Sequence, residues 1–315
     1  MKVSVKVPAT TANIGPGFDC MGMALPIYNT VTIEETVLPG TGVEINVIAD
    51  SDSIDQLSLD HIPSDENSIV YKAVELLYNS IGQSPSELKI TIHSNIPVAR
   101  GLGSSSSVIV GALVAANELL GRPADEVALL SIACEIEGHP DNITPAIVGG
   151  LVISSQEDDG SVVYRRLKWP DNWAVTVCVP DFELSTDIAR SVLPKEVPMK
   201  DAIFNAKRLA MFVEAINTQD SELMKLALQD RLHQPYRMKL VPGLENIIAN
   251  LRHFDNVLGC VLSGAGSSIL VISEKNDLDK IRNVVRETWA DQNIKCEIKT
   301  LAVENEGARI ISNED

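Results

Sequence analysis

Apolar and polar side chains alternate from Val3 to Val7, the period of a half-buried strand. The same period returns at Leu88–His93, where Leu88, Ile90 and Ile92 share one face. Further strands are predicted at Val31–Glu35, Val43–Ile48 and Leu151–Ser155, with a loop of glycines and small residues over Pro8–Gly22. Helical spacing marks Asn67–Ile81, stopped by Gly82, and Val108–Leu120, closed by Gly121 and Pro123. A helix over Pro123–Glu137 carries Asp125 and Glu126 in its first turn. Gly138-His139-Pro140-Asp141-Asn142 is expected to break it in a sharp turn.

Beyond the acidic turn Glu157–Gly160 the pattern starts afresh. It predicts a strand at Trp173–Pro180, helices at 200–217, 221–231 and 243–252, and a strand pair at 257–262 and 269–273. A helix at 277–290 and a strand near 294–301 close the chain. Helices against mixed or antiparallel strands define an α+β class. The 315 residues exceed the usual size of a single core, so two domains are expected, 1–160 and 161–315, with the boundary in the 150–170 stretch.

Composition narrows the function. The chain is 45% hydrophobic and 22% charged, with a formal charge of −17. Such an acid excess argues against a surface for nucleic acid or anionic membrane, which needs basic patches. A nucleotide bound here would have its phosphates neutralised locally, by backbone donors and metal. No apolar run reaches the roughly 20 residues of a membrane span. The strand-like start lacks the apolar region of a secretion signal. Cys20, Cys134, Cys178, Cys260 and Cys296 are odd in number and widely spaced, which suits a reducing cytoplasm better than a zinc site or a disulfide framework.

Chemistry concentrates in four segments. The first runs Ile96-Pro97-Val98-Ala99-Arg100-Gly101-Leu102-Gly103-Ser104-Ser105-Ser106-Ser107, between a predicted strand and a predicted helix. Glycines admit close approach of a ligand, and a helix start offers unpaired N–H groups at the positive end of the dipole. An anion site is therefore expected, most naturally for phosphate, over a plain Gly/Ser-rich linker with ordinary capping. It lacks the lysine of the common phosphate loop and the third glycine of the dinucleotide fingerprint. The second segment is the loop holding Asn13 and Asp19, suited either to a small polar ligand or simply to a turn. In the third, Glu137 ends a helix, where its charge opposes the dipole unless a cation such as magnesium offsets it. His139, Asp141 and Asn142 follow it, and the same residues would also serve a plain acidic helix end and turn. The fourth, Leu262–Ile269 between two apolar strands, holds two glycines and three serines that suit close backbone packing, a second phosphate contact or simply a tight strand connection. Elsewhere, the forks of Arg190 and Arg237 suit a carboxylate but also an ordinary surface.

Taken together, these segments resemble the GHMP small-molecule kinases. Pro97–Ser105 is similar to their second motif, P-x-x-x-G-L-G-S-S, and Ser263–Ser268 to their glycine-rich third motif. Within the superfamily, Val5–Asp19 and Glu137–Asn142, continuing through Thr144-Pro145-Ala146 to Gly149-Gly150, resemble the homoserine kinase branch. The resemblance implies an N-terminal domain like domain 2 of ribosomal protein S5, a ferredoxin-like C-terminal domain and a site in the cleft between them. It also implies ATP-dependent phosphorylation of L-homoserine on its side-chain hydroxyl, in threonine biosynthesis, with Mg2+. Pro97 to Ser107 would line the ATP phosphates, and Ser105 and Glu137 would hold the metal. Asn13, Asp19, His139, Asn142, Thr186, Arg190, Arg237 and Gly264 would surround homoserine. By the same resemblance Asp141 and Asn142 would stand at the reacting group, with Asp141 either a general base or a positioning group. A homodimer is a family-level expectation. The third motif departs from the family pattern at Ser267, where a proline is common, and at Ala265, where serine is frequent.

Overall fold

A computed structural model describes residues 1–36, 42–50, 59, 63–85 and 87–314. Its N-terminal half is built on a long hairpin. Strand β1 (Lys2–Asn13) runs antiparallel to β2 (Gly17–Glu35), so the loop expected over Pro8–Gly22 is mostly strand, and only Ile14–Pro16 turns the chain. The small polar residues there suggested a loop, but they are buried: Ala9, Thr10, Thr11 and Ala12 have no exposed surface.

Strands β3 (Val43–Ala49) and β4 (Leu88–Ser94) extend the sheet in the order β11 (Arg309–Glu314), β1, β2, β4, β3, with β3 parallel to β4. Strand β2 is long enough to serve two partners. Its second half pairs with β4, and Met21–Met23 pairs with β5 (Leu151–Gln156), which in turn pairs with β6 (Val162–Leu167). Helices α1 (Ile69–Ser80), α2 (Ser104–Leu119) and α3 (Glu126–Glu137) cover one face. Val5, Val31, Ile33 and Ile90 meet Leu77, Leu113 and Leu130 in a common core there.

The expected sharp turn after Glu137 is instead a junction of two helices. Gly138 ends α3 in a left-handed conformation, and α4 (Pro140–Val148) begins at once, with Pro140 in its first turn. Proline signals a break in a sequence, yet it is at home at this position, where its missing N–H costs nothing.

The second sheet is fully antiparallel in the order β10-β7-β9-β8, from β7 (Trp173–Pro180), β8 (Val257–Leu262), β9 (Ile269–Glu274) and β10 (Cys296–Leu301). Both its faces are buried, so the strands read as continuous apolar runs instead of alternating. Leu270 and Ile272 point with Val175 and Val177 toward α6 (Met199–Thr218), α7 (Ser221–Ala227) and the first sheet. Ile269 and Val271 point the other way, toward α9 (Leu244–Leu251) and α10 (Leu278–Ala290). Two short helices lie between, α5 (Thr186–Ser191) and α8 (Gln234–Arg237).

Sequence periodicity passes over β6, α5 and β11 (Arg309–Glu314). Strand β11 brings the C-terminus back to pair with β1. The first sheet thus takes in chain on both sides of residue 160 and again at the far end. Among the described residues no helix is long and apolar enough to cross a membrane.

Candidate functional site

Each functional segment reaches one cleft because a neighbouring element forces it there. The hairpin turn is held from both sides. Asn13, with φ 68°, donates from Nδ2 to Gly264 O at 2.9 Å and accepts the Asp19 N–H at 3.0 Å. The Gly264 N–H donates back to Ala12 O at 3.0 Å. The glycine–serine connection between β8 and β9 therefore packs on the end of β1. It also grips the phosphate-type loop: Ser263 Oγ lies 2.6 Å from Gly101 O, and the Ser268 N–H reaches Arg100 O at 3.2 Å.

Helix α2 starts at Ser104 with Gly103 as its N-cap and no side chain capping it. The first intrahelical bond of this turn runs from Ser107 N–H to Gly103 O at 2.9 Å, so the preceding N–H groups lack an acceptor within the helix. Together with the positive end of the helix dipole they give the cleft wall the chemistry that suits an anion.

The carboxylate of Glu137 comes to the same place from the far end of α3. Its two oxygens accept from Ser105 Oγ at 3.0 Å and Ser106 Oγ at 2.9 Å. These hydroxyls offset part of the unfavourable meeting of a carboxylate with a helix C-terminus. Among the described residues no group of three or more His, Cys, Asp or Glu side chains is placed to hold a metal ion by itself. A cation at Ser105 and Glu137 would thus draw its other oxygens from phosphate and water, the habit of magnesium.

At the start of α4, Asp141 is buried and lies where a helix favours an acid. His139 Nδ1–H donates to Asp141 Oδ1 at 2.6 Å, and Asn142 Oδ1 accepts from Thr10 Oγ1 at 2.8 Å. Burial opposes charge on the His139 imidazole, but the hydrogen bond to Asp141 and the charges of Asp141, Glu137 and Asp19 outweigh it and raise its pKa. The helix presses against β2 at Gly22, where a Cβ would fall 1.7 Å from Asp141 O, so only glycine permits this approach.

Arg190, in α5, forms a two-pronged pair with Asp19 at 3.0 and 3.2 Å. Arg237 is 1% exposed and donates from Nε to Ala189 O at 3.1 Å. Burial and the neighbouring Arg190 charge lower its pKa, against the pull of Asp19, Asp141 and Asp230.

The resulting cleft holds about 290 Å3 and is lined by Asn13, Asp19, Pro97 through Ser105, Glu137, His139, Asp141, Asn142, Thr186, Arg190, Arg237 and Gly264. Ser106 and Ser107 are not on its wall. Both are buried, Ser106 against Glu137 and Ser107 in bonds to Ser104 O and Asn29 Nδ2. Four consecutive hydroxyls look alike in a sequence, but a helix can aim only part of its first turn at the cleft.

Sequence reasoning missed the apolar end of the cleft, made by Val47, Ile69, Ile92 and Val108, because those residues read as ordinary core positions of β3, α1, β4 and α2. It also missed the cluster of Phe18, Asp230 and His233 behind Arg237. A turn signal was available there: Asp230 accepts from the N–H groups of Leu232, His233 and Gln234 at 3.0, 2.9 and 2.7 Å, leading into α8 with Pro235 in its first turn.

Residues 68–150 match the GHMP kinases N terminal domain and residues 212–291 the GHMP kinases C terminal domain. The homoserine kinase of Moorella thermoacetica is 40% identical over 307 residues, covering 98% of this chain and 99% of the relative. That of Caldicellulosiruptor saccharolyticus is 41% identical over 312 residues, covering 98% and 97%. The crystal structure of homoserine kinase from Cytophaga hutchinsonii superposes with a TM-score of 0.86 at 27% identity, covering 98% of this chain and 97% of its own.

Proposed function

Because the chain belongs to the GHMP kinases, within their homoserine kinase family, we propose that it transfers the γ-phosphoryl group of ATP to the side-chain hydroxyl of L-homoserine. The products are O-phospho-L-homoserine, for threonine biosynthesis, and ADP. The observation that carries this reading is the convergence on one cleft of an uncapped helix start, the Glu137–Asn142 junction and the Asp19–Arg190–Arg237 group.

The apolar end at Val47, Ile69, Ile92 and Val108 suits the nucleotide base, and the loop Pro97–Ser105 suits the phosphates. Serine and carboxylate oxygens at Ser105 and Glu137 are the hard donors that magnesium takes. When bound, the ion would neutralise charge on the terminal phosphates. Homoserine carries one cation and one anion at its α-carbon. Inserted between Asp19 and Arg190, it exchanges their pair for two, ammonium to Asp19 and carboxylate to the arginines. Asn13 and Gly264 close the pocket around it, with Thr186 at its edge.

Asp141 and Asn142 then orient the attacking hydroxyl, and His139 fixes the Asp141 carboxylate from behind. Phosphoryl transfer asks for in-line positioning and charge stabilisation, with little covalent work by the protein. Incubation with ATP, magnesium and L-homoserine, followed by phosphorus NMR, tests the reading. The expected result is a phosphomonoester resonance of O-phosphohomoserine matched by ADP. ADP released only with mevalonate, galactose or shikimate as acceptor refutes it.

A further inference from the structure

We propose that His233 is a positioning residue for recognition of the substrate carboxylate, tying Arg237 to the turn that carries Asn13 and Asp19. The proposal rests on the reading of Arg237 as a carboxylate-binding group. His233 is fully buried, and its Nε2–H donates to Gly15 O at 2.9 Å, in the middle of the hairpin turn. That bond leaves Nδ1 as an acceptor, and Arg237 Nη1 lies 3.4 Å from it. The ring also stacks on Phe18, at 5.1 Å between centroids and 15° between planes. Phe18 in turn lies under the Arg237 guanidinium at 5.2 Å. One imidazole thus joins two parts of the site, the β1–β2 turn and helix α8.

The ring has its own anchor. The His233 N–H donates to Asp230, whose carboxylate also accepts from Asn205 Nδ2 at 2.7 Å, and Asn205 Nδ2 lies 3.4 Å from Pro16 O in the same turn. Burial lowers the His233 pKa against the pull of Asp230, which keeps Nδ1 free to accept. Among the described residues hydrogen bonds hold only Nε and Nη1 of Arg237, so the rest of its fork is available to the cleft in a fixed orientation.

The test compares kcat/KM for L-homoserine with that for its amide, which keeps the ammonium and hydroxyl and lacks the carboxylate charge. Three variants are used. His233→Gln keeps a donor near Nε2 and loses the acceptor, His233→Asn keeps an acceptor near Nδ1 and loses the donor, and Arg237→Gln removes the fork. The wild-type acid-to-amide preference should collapse in Arg237→Gln. It should fall on the order of tenfold in His233→Gln, as for one hydrogen bond to a charged group, with KM for ATP unchanged. His233→Asn should retain more of the preference than His233→Gln. Because the ratio is internal to each preparation, partial misfolding does not move it.

Equal losses on acid and amide in both His233 variants would overturn the proposal and leave His233 a structural residue. An intact preference in both, with the preference lost in Arg237→Gln, would also overturn it while sparing the carboxylate reading. An intact preference in Arg237→Gln would refute that reading and the proposal with it.

Discussion

Replacing Gly101 by alanine places a methyl group where two loops from different sheets touch. A Cβ there would lie 2.1 Å from Ser263 O, 2.8 Å from Gly266 O and 3.1 Å from Gly266 N. The first distance is about 1 Å too short for a carbon–oxygen contact. Ser263 O is not free to retreat, because it accepts the Gly266 N–H at 2.9 Å while Ser263 Oγ lies 2.6 Å from Gly101 O. The residue also sits at φ 69°, a conformation that alanine adopts at a cost of roughly 1–2 kcal/mol.

Gly121 and Gly160 have similar φ, 77° and 82°, with nothing within 4 Å of the added carbon. They therefore report the backbone cost alone. At Gly101, overpacking adds about 1–3 kcal/mol and the disturbed hydrogen bonds about 1 kcal/mol more. Urea unfolding should therefore show a loss of roughly 3–6 kcal/mol for Gly101→Ala against about 1–2 kcal/mol for Gly121→Ala and Gly160→Ala. If the loops separate to make room, the phosphate-type loop moves too, and KM for ATP should rise on the order of tenfold. A Gly101→Ala protein no less stable than Gly121→Ala, with an unchanged KM for ATP, would refute the close-packing argument.

Two further perturbations bear on the site. Glu137→Gln keeps a partner for Ser105 and Ser106 but removes the charge, so the magnesium concentration at half-maximal rate should rise at least about tenfold. Normal turnover at ordinary magnesium would remove Glu137 from the metal role. The raised pKa of His139 means that its charged form is favoured in the fold, so the stability this contributes is fully present below the ordinary imidazole value of 6.5 and is lost as pH rises through the higher folded value. Asp141→Asn should therefore cost more stability in mildly acidic than in mildly alkaline buffer, measured by urea melts. An equal cost on both sides would sink the assignment.

Much of the site could be read locally. Gly101, Gly103 and the serine run already marked a helix start with unpaired N–H groups, a property of any helix, at which an anion was expected. The Glu137–Asn142 segment declared its unusual density of polar groups next to an apolar run. Its local structure was misread because Pro140 both ends and begins helices. Only the structure reveals that α4 starts there and presses Asp141 into the cleft past Gly22. Periodicity also failed over Pro8–Gly22. Ala, Thr and Gly carry little of the hydrophobic signal, yet they are buried where β1 meets α2 and α4.

Local pattern alone therefore settles that this chain alternates strands with helices, is acidic, and carries a glycine–serine loop without a lysine ahead of a helix. Which hydroxyls of that loop face the cleft and which are buried depends on how α2 is rotated against the sheet. The pairing of Asp19 with Arg190 joins residues 171 positions apart, and Asn13 meets Gly264 across 251. No spacing rule reaches that far. Such contacts follow from two sheets packed through a shared apolar core that brings the β1–β2 turn against α5 and α8. The sequence determined the chemical groups available, and the tertiary packing decided which of them meet, because burial fixes positions and orientations that a residue's immediate neighbours do not specify.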